Sequence, residues 1–382
     1  MYGTPLDKIG QGAYADVYQT NKNYAIKVLN ENNDVHIVHA FKEFLASRIV
    51  ESKYCMPILD IGYNLCPEFN NKLSLVMPLG QSLNSDIPFN IIRFKQIVQG
   101  VKDLHAKDIW HLDIKLANCI QLPDRVVLAD LGGCLFRASQ ENARFAITTL
   151  YARPPEILLN GYYNEKSDIW SLGCLLYHWL TGELPFGFES ELSVLFNQFK
   201  CLGTPNEDPN SVYYWPNVTK LPYWKTYLPI WTGNRNLFNN VTDLTLRDLL
   251  TKMLVLNPDK RISLDQILAH PALQINNDKC LSPLFKSYPI PIKTSPNFDN
   301  IAKICDRFDF TIYEQDQIYE YYGKIVLYLD SDYDLEIFYI ICVIMNFNIK
   351  IDELIILTKP NLNITKFLFK TITALNITSI VI

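Results

Sequence analysis

The sequence predicts an α+β chain with a small β-rich lobe, a larger α-helical lobe and a small all-α domain at its C-terminal end. Three observations carry this. Short apolar runs around a glycine turn fill residues 1–80, helical spacing takes over from about 89 to 273, and a proline-studded stretch precedes a last group of helix-spaced segments. Strands first and helices after suits two packed lobes better than an alternating α/β sheet.

In the first lobe, KIGQGAYADVYQT, YAIKVL and KLSLVMPL read as strands. Between them HAFKEFLASRIVES places Phe41, Phe44, Leu45 and Ile49 at helical spacing. The second lobe, 81–276, contains the helical runs IIRFKQIVQGVKDLHA, SDIWSLGCLLYHWLTG and LTLRDLLTKML. Residues 277–296, with Pro283, Pro289, Pro291 and Pro296, read as a linker. Beyond it, 297–382 carries about five short helical patterns, with LEIFYIICVIMNF in the middle, apolar all round as suits a buried helix although its β-branched content also allows a strand.

Composition narrows the function. A chain of 382 residues with 48% hydrophobic and 20% charged residues is an ordinary globular one. Its net charge of −5, with no Lys/Arg block, argues against nucleic acid as a partner. The nine cysteines include no CxxC pair, which suits a reducing compartment better than a disulfide framework or a zinc site. The N-terminus is polar, and the longest apolar run, Ile337 to Met345, is far short of the roughly 20 residues of a membrane span. The expectation is an intracellular protein, cytoplasmic or nuclear, with no membrane partner.

The sharpest local signal is HLDIKLAN, His111 to Asn118, three strongly polar side chains in an apolar neighbourhood. A loop at a core edge would explain it, with Asp113 capping a turn and Asn118 bonding its own backbone. Its surroundings decide otherwise. GQGAYADV places Gly10 and Gly12 between strands, Lys27 ends the strand YAIK, and ADLGG brings Asp130. Phosphoryl transfer from ATP uses this inventory: a backbone loop over the phosphates, a cation, two oxygen ligands for Mg²⁺ and a carboxylate for the hydroxyl proton.

With these motifs in this order, the chain from about Thr4 to Pro271 resembles a eukaryotic-type protein kinase. The resemblance implies the bilobal protein-kinase fold, ATP and Mg²⁺ as cofactors, and protein substrates. It makes Asp113 the catalytic base and Lys115 the group that steadies the transferred phosphoryl. Asn118 and Asp130 become metal ligands. It assigns ATP binding to Gly10, Gln11, Gly12, Val17, Ala25, Lys27, Glu43, Met77, Leu79 and Gly80, with Lys27 paired to Glu43. An ordinary exposed ion pair is the competing reading of that pair. Glu156, Asp168 and Arg261 take architectural roles, Asp168 bracing the catalytic loop and Arg261 pairing with Glu156.

Lys115 and Thr149 resemble the Ser/Thr type. The run ESELSVLFNQFKCLGTPNED, with the Trp- and Pro-containing insert after it, resembles cyclin-dependent kinases of the CMGC group. There Arg153 implies a preference for proline after the phosphoacceptor. The chain departs from the pattern at Ala15 for the third loop glycine, at Leu131 in DLG, and at Leu112 for the Arg of HRD. Arg144 stands where that group keeps its phosphorylated Thr. The Glu43 helix also lacks a PSTAIRE-type sequence. A pseudokinase serving as a binding scaffold is the alternative, and its expected signature is loss of Lys27, Asp113, Asn118 or Asp130. The helix order in 297–382 resembles a single cyclin box, which implies a built-in activator in place of an external cyclin-like one. An unrelated helical appendage is the competing reading.

Overall fold

The computed structural model describes residues 2–274 apart from 32–33, 51, 64, 70–71 and 137–147. The linker, the 297–382 segment and Arg144 therefore lie outside the described residues, as do the expectations attached to them.

The small lobe is one five-stranded antiparallel sheet. Strands β1 (Pro5–Gln11), β2 (Ala15–Thr20), β3 (Tyr24–Leu29), β4 (Asp60–Tyr63) and β5 (Leu73–Pro78) run in the order β1-β2-β3-β5-β4. Helix α1 (Asp34–Val50) connects β3 to β4. Cross-strand pairs Val17–Lys27, Lys27–Leu75 and Ala25–Met77 fix the register. Because side chains alternate across a strand, Val17, Ala25, Lys27, Leu75 and Met77 share one face. The opposite face buries Ile26, Val28 and Val76 with Cys66. The helix begins at Asp34, about one turn before His39. Strand β4 was not legible either, since DIGY is four residues with a glycine.

The large lobe contains the three expected helices as α2 (Ile91–His105), α4 (Glu165–Thr181) and α6 (Leu244–Met253), with α3 (Pro155–Leu158), α5 (Glu191–Leu202) and α7 (Leu264–Leu268). It is not purely helical. Short strands β6 (Gln81–Ser82), β8 (Cys119–Gln121) and β9 (Val126–Leu128) form one sheet, and β7 (Ile109–Trp110) pairs with β10 (Leu135–Phe136). Strands of two or three residues have no period to read, yet HLDIKLAN hangs between β7 and β8.

Helix ends follow local rules. Asn90 accepts from the N–H groups of Ile92 and Arg93 to start α2, an Asn164/Ser167 capping box starts α4, and Gly182 at φ 76° ends it. Helix α4 is buried almost all round and lies tight on α6: a Cβ on Gly173 would come within 2.8 Å of Leu254 Cδ2 and 3.2 Å of Met253 Cβ. Residues 203–240 form an irregular segment with short 3₁₀ turns at Val218–Lys220 and Asn236–Asn240. Six cysteines among the described residues are free and buried. No described helix is long and apolar enough to cross a membrane.

Candidate active site

The turn between β1 and β2 holds Gly10, Gln11 and Gly12. Gly12 N–H donates to Ala15 O at 2.9 Å. The side chain of Asn30 donates to the carbonyls of Gly12 (3.2 Å) and Ala13 (3.3 Å), and its backbone N–H donates to Tyr14 O. Sequence reasoning missed Asn30, because an Asn just past a strand reads as a turn former. Ala15 sits buried in β2 opposite Leu29, an extended position that accepts a Cβ without strain.

Val17, Ala25 and Met77 line the face that Lys27 occupies, and Leu79 and Gly80 follow as the chain crosses to the large lobe. A Cβ on Gly80 would lie 2.4 Å from Ile120 Cγ2 and 2.8 Å from Gln121 O, so this crossing runs directly on β8. Ile120 is a second missed neighbour of the cleft. Its one signal was an apolar residue two positions after Asn118.

Lys27 Nζ reaches Glu43 Oε2 at 2.6 Å and Asp130 Oδ1 at 2.7 Å, joining β3, α1 and the turn after β9. Burial disfavours the charged amine, but the two carboxylates more than reverse this and raise its pKa. Lys27 in turn holds the Asp130 carboxyl down at about 2. The Glu43 side chain is 4% exposed, so an ordinary surface ion pair is the wrong description. Asp130 takes a left-handed conformation (φ 64°, ψ 57°), which Asp tolerates, and Leu131 behind it is buried in the main core.

In the catalytic loop, Asp113 is surrounded by donors. Thr149 reaches Oδ1 through its N–H (3.1 Å) and hydroxyl (2.5 Å), and Lys115 Nζ (2.7 Å) and Asn118 Nδ2 (3.1 Å) reach Oδ2. Lys115 Nζ also donates to Thr149 Oγ1 at 2.9 Å, and Asn118 Nδ2 donates to Asp113 O at 2.8 Å. His111 closes the loop, its Nε2 against Ala129 O and its Nδ1 accepting from Asp113 N–H.

The fully buried Asp168 on α4 holds this loop from below. It accepts from the N–H groups of His111 (2.9 Å) and Leu112 (2.8 Å) and from His105 Nε2 (2.8 Å). Leu112 needs that support, because its φ is 64°, costly for a side chain of this kind. Its side chain is fully buried with Trp110, Leu135 and Tyr163. Where the motif keeps a cation, this chain has a small apolar cluster. Glu156 and Arg261 form a bidentate pair at 2.7 and 2.6 Å, with side chains 5% and 0% exposed.

Arg153 is nearly buried. It donates to Thr148 O (2.6 Å) and Thr148 Oγ1 (3.1 Å) and pairs with Glu191 at the start of α5. The site therefore brings together Lys27, Glu43 and Asp130 in one cluster and Asp113, Lys115, Asn118 and Thr149 in another. Arg153 bonds Thr148, the residue before Thr149, and Glu156, Asp168 and Arg261 lie beneath as support.

A cation held at a cleft with paired carboxylates, next to a carboxylate ringed by donors, suits phosphoryl transfer, and comparisons with known proteins agree. Residues 4–273 match the protein kinase domain. The chain is 31% identical over 287 residues to a probable serine/threonine-protein kinase, glkA, of Dictyostelium discoideum, covering 70% of this chain and 58% of that protein. It is equally identical to cyclin-dependent kinase B2-1 of Oryza sativa subsp. japonica (70% of this chain, 88% of the relative). The same holds for cyclin-dependent kinase 1 of Encephalitozoon cuniculi (69% and 94%). A protein kinase domain brings with it the use of ATP and a divalent metal. The chain belongs to the protein kinase family, as a serine/threonine protein kinase.

Proposed function

We propose that the protein transfers the γ-phosphate of ATP, with Mg²⁺, to Ser or Thr followed by proline. The observation that carries this is the assembled pair of clusters: Lys27 seated between Glu43 and Asp130, and Asp113 held by Lys115, Asn118 and Thr149. The oxygen donors fit Mg²⁺. Asn118 spends its N–H donors on Asp113 and keeps its carbonyl oxygen, while Asp130 bonds Lys27 through Oδ1 and keeps Oδ2, its side chain 48% exposed. When bound, the metal neutralises charge on the β- and γ-phosphates.

The chain's own residues do the rest. The Gly10–Gly12 turn covers the phosphates, and Lys27 binds the α- and β-phosphates. Val17, Ala25, Met77, Leu79 and Gly80 form the apolar slot for the base. Asp113 accepts the proton of the attacking hydroxyl, and Lys115 keeps a positive charge beside the transferred group. Retention of all four of Lys27, Asp113, Asn118 and Asp130 favours an enzyme over a scaffold.

The proline preference rests on Arg153. Its guanidinium occupies Thr148 O at 2.6 Å, so that carbonyl has less to offer a substrate amide. A substrate residue with an N–H at that point buries an unsatisfied donor, and proline has none. Two of the relatives are named cyclin-dependent kinases, and we read 297–382 as a cyclin-like partner for α1 within the same chain. Deleting 297–382 should then lower turnover, and full activity of the folded truncation would remove this part of the reading. The main test compares phosphate transfer from ATP to Ser-Pro and Ser-Ala peptides. Transfer to Ser-Pro that depends on added Mg²⁺ and is at least about tenfold faster, a difference of about 1.4 kcal/mol, is expected. Equal rates for the two peptides would overturn the proline assignment, and no transfer to either would overturn the enzyme reading.

A further inference from the structure

The tip of the nucleotide turn is anchored to α1 by aromatic contacts that no catalytic role above uses. The Tyr14 ring lies 4.5 Å from the His39 ring, tilted by 33°, and 5.2 Å from the His36 ring, nearly edge-on. His36 and His39 are three residues apart on α1 and so share a face. On its other side His39 backs Gly132: a Cβ there would lie 3.1 Å from His39 O, 3.3 Å from its Cβ and 3.4 Å from its Nδ1. Gly132 follows Asp130 by two residues, and Glu43 follows His39 by one helical turn. One residue of α1 thus touches both the loop over the phosphates and the turn that carries Asp130.

We propose that His39 is a positioning residue that ties the nucleotide loop to the Asp130 turn, stacking on Tyr14 on one side and packing on Gly132 on the other. The proposal deepens the phosphotransfer reading and rests on it. The α1 position that brings Glu43 to Lys27 also sets His39 beneath Tyr14, so the helix, the loop and the Asp130 turn move as one unit. Tyr14 is 43% exposed, which leaves its ring little reason to be ordered without that stack. Asn30 holds the backbone of residues 12–14 through their carbonyls, and His39 holds the Tyr14 ring. ATP closure is the step this contact favours, because a loop already folded against α1 loses less freedom on binding.

The test is a double-mutant cycle on the full chain with Tyr14→Ala, His39→Ala and both together, read by KM for ATP, KM for peptide and kcat. Each single substitution should raise KM for ATP about 2- to 10-fold, the change expected of one aromatic pair. The double variant should be less impaired than the two singles combined, because the stack they share is lost only once. Tyr14→Phe and His39→Phe keep two stacked rings and should restore KM to within about twofold, whereas KM for peptide and kcat stay near wild type. Additive effects, Phe variants as impaired as Ala, or a change confined to kcat would overturn the proposal. Should His39→Ala fail to fold, the Tyr14→Ala and Tyr14→Phe pair decides alone, because Tyr14 is half-exposed. Affinity for a fluorescent ADP analogue reads the same cycle without turnover. If wild type transfers no phosphate the phosphotransfer reading fails, and the cycle still shows whether the stack exists.

Discussion

Two charge clusters in this molecule use similar chemistry for opposite ends. In the large lobe Arg261 is sealed. Its five donors go to both oxygens of Glu156 and to the carbonyls of Val255, Lys166 and Leu256, and nothing is left over. At the cleft Lys27 spends two of its three donors on Glu43 and Asp130, and Asp130 stays half exposed. A fully satisfied buried ion pair specifies architecture and does no further chemistry. A partly satisfied one at a cleft is ready for a ligand with matching charge. The difference lies in spare hydrogen-bonding capacity, not in residue type.

That contrast can be broken from either side. The largest effect is expected at Asp113. Asp113→Asn should lower turnover about 10²- to 10⁴-fold, the usual worth of a general base, with circular dichroism showing a folded protein. Turnover near wild type would remove Asp113 from the chemistry. Arg261→Ala should instead cost about 3–5 kcal/mol of stability in urea unfolding, because Glu156 is left charged and buried. A cost below 1 kcal/mol there would show that the sealed pair is not architectural.

Leu112→Ala comes next, at about 2–5 kcal/mol, because it empties the cluster of Trp110, Leu135 and Tyr163. Stability unchanged by that substitution would mean the position is not core. A smaller effect concerns Asp130, which Lys27 holds at about 2. The folded pKa lies below the ordinary carboxylate value of about 4. Its contribution to stability is therefore present above that value and lost as pH falls towards 2. In Lys27→Met the carboxyl should titrate closer to 4 by carbon-detected NMR, and the acid-side loss of stability from this group should shrink. An Asp130 titration that does not move would detach it from Lys27.

The smallest expected effect is none. With Leu112 buried in an apolar cluster and Arg144 at the phospho-Thr position, phosphatase treatment should leave turnover within about twofold, because no cation from Leu112 receives a phosphate. A large fall in rate would point to an activating phosphate held by other residues.

Much of this site was legible from residue order. Gly10, Gly12, Lys27, Asp113, Asn118 and Asp130 stand in a sequence that few other chemistries need. Leu131, a departure in the DLG motif, lies in the main core. The lobes too were legible, because the α2, α4 and α6 runs keep helical spacing over ten or more residues. Residues whose part is to meet something distant were not. Asn30, His39, Tyr14 and Ile120 carry no local pattern that separates them from turn, helix or strand residues. The strands β7 to β10 escaped because two or three residues cannot show a period.

By itself the sequence determined the lobe order, the chemical inventory and the departures at Ala15, Leu112, Leu131 and Arg144, all of which are matters of residue identity and spacing. Only the tertiary structure decided that Asp130, 103 positions away, joins the Lys27–Glu43 pair, and that Asp168 accepts from the backbone N–H groups of His111 and the strained Leu112. It alone also decided that Arg153 covers Thr148 O and that His39 lies between Tyr14 and Gly132. The physical reason is range: propensity and periodicity act over one or two turns of chain, whereas hydrogen bonds, ion pairs and ring contacts depend on distances that folding sets between segments remote in sequence.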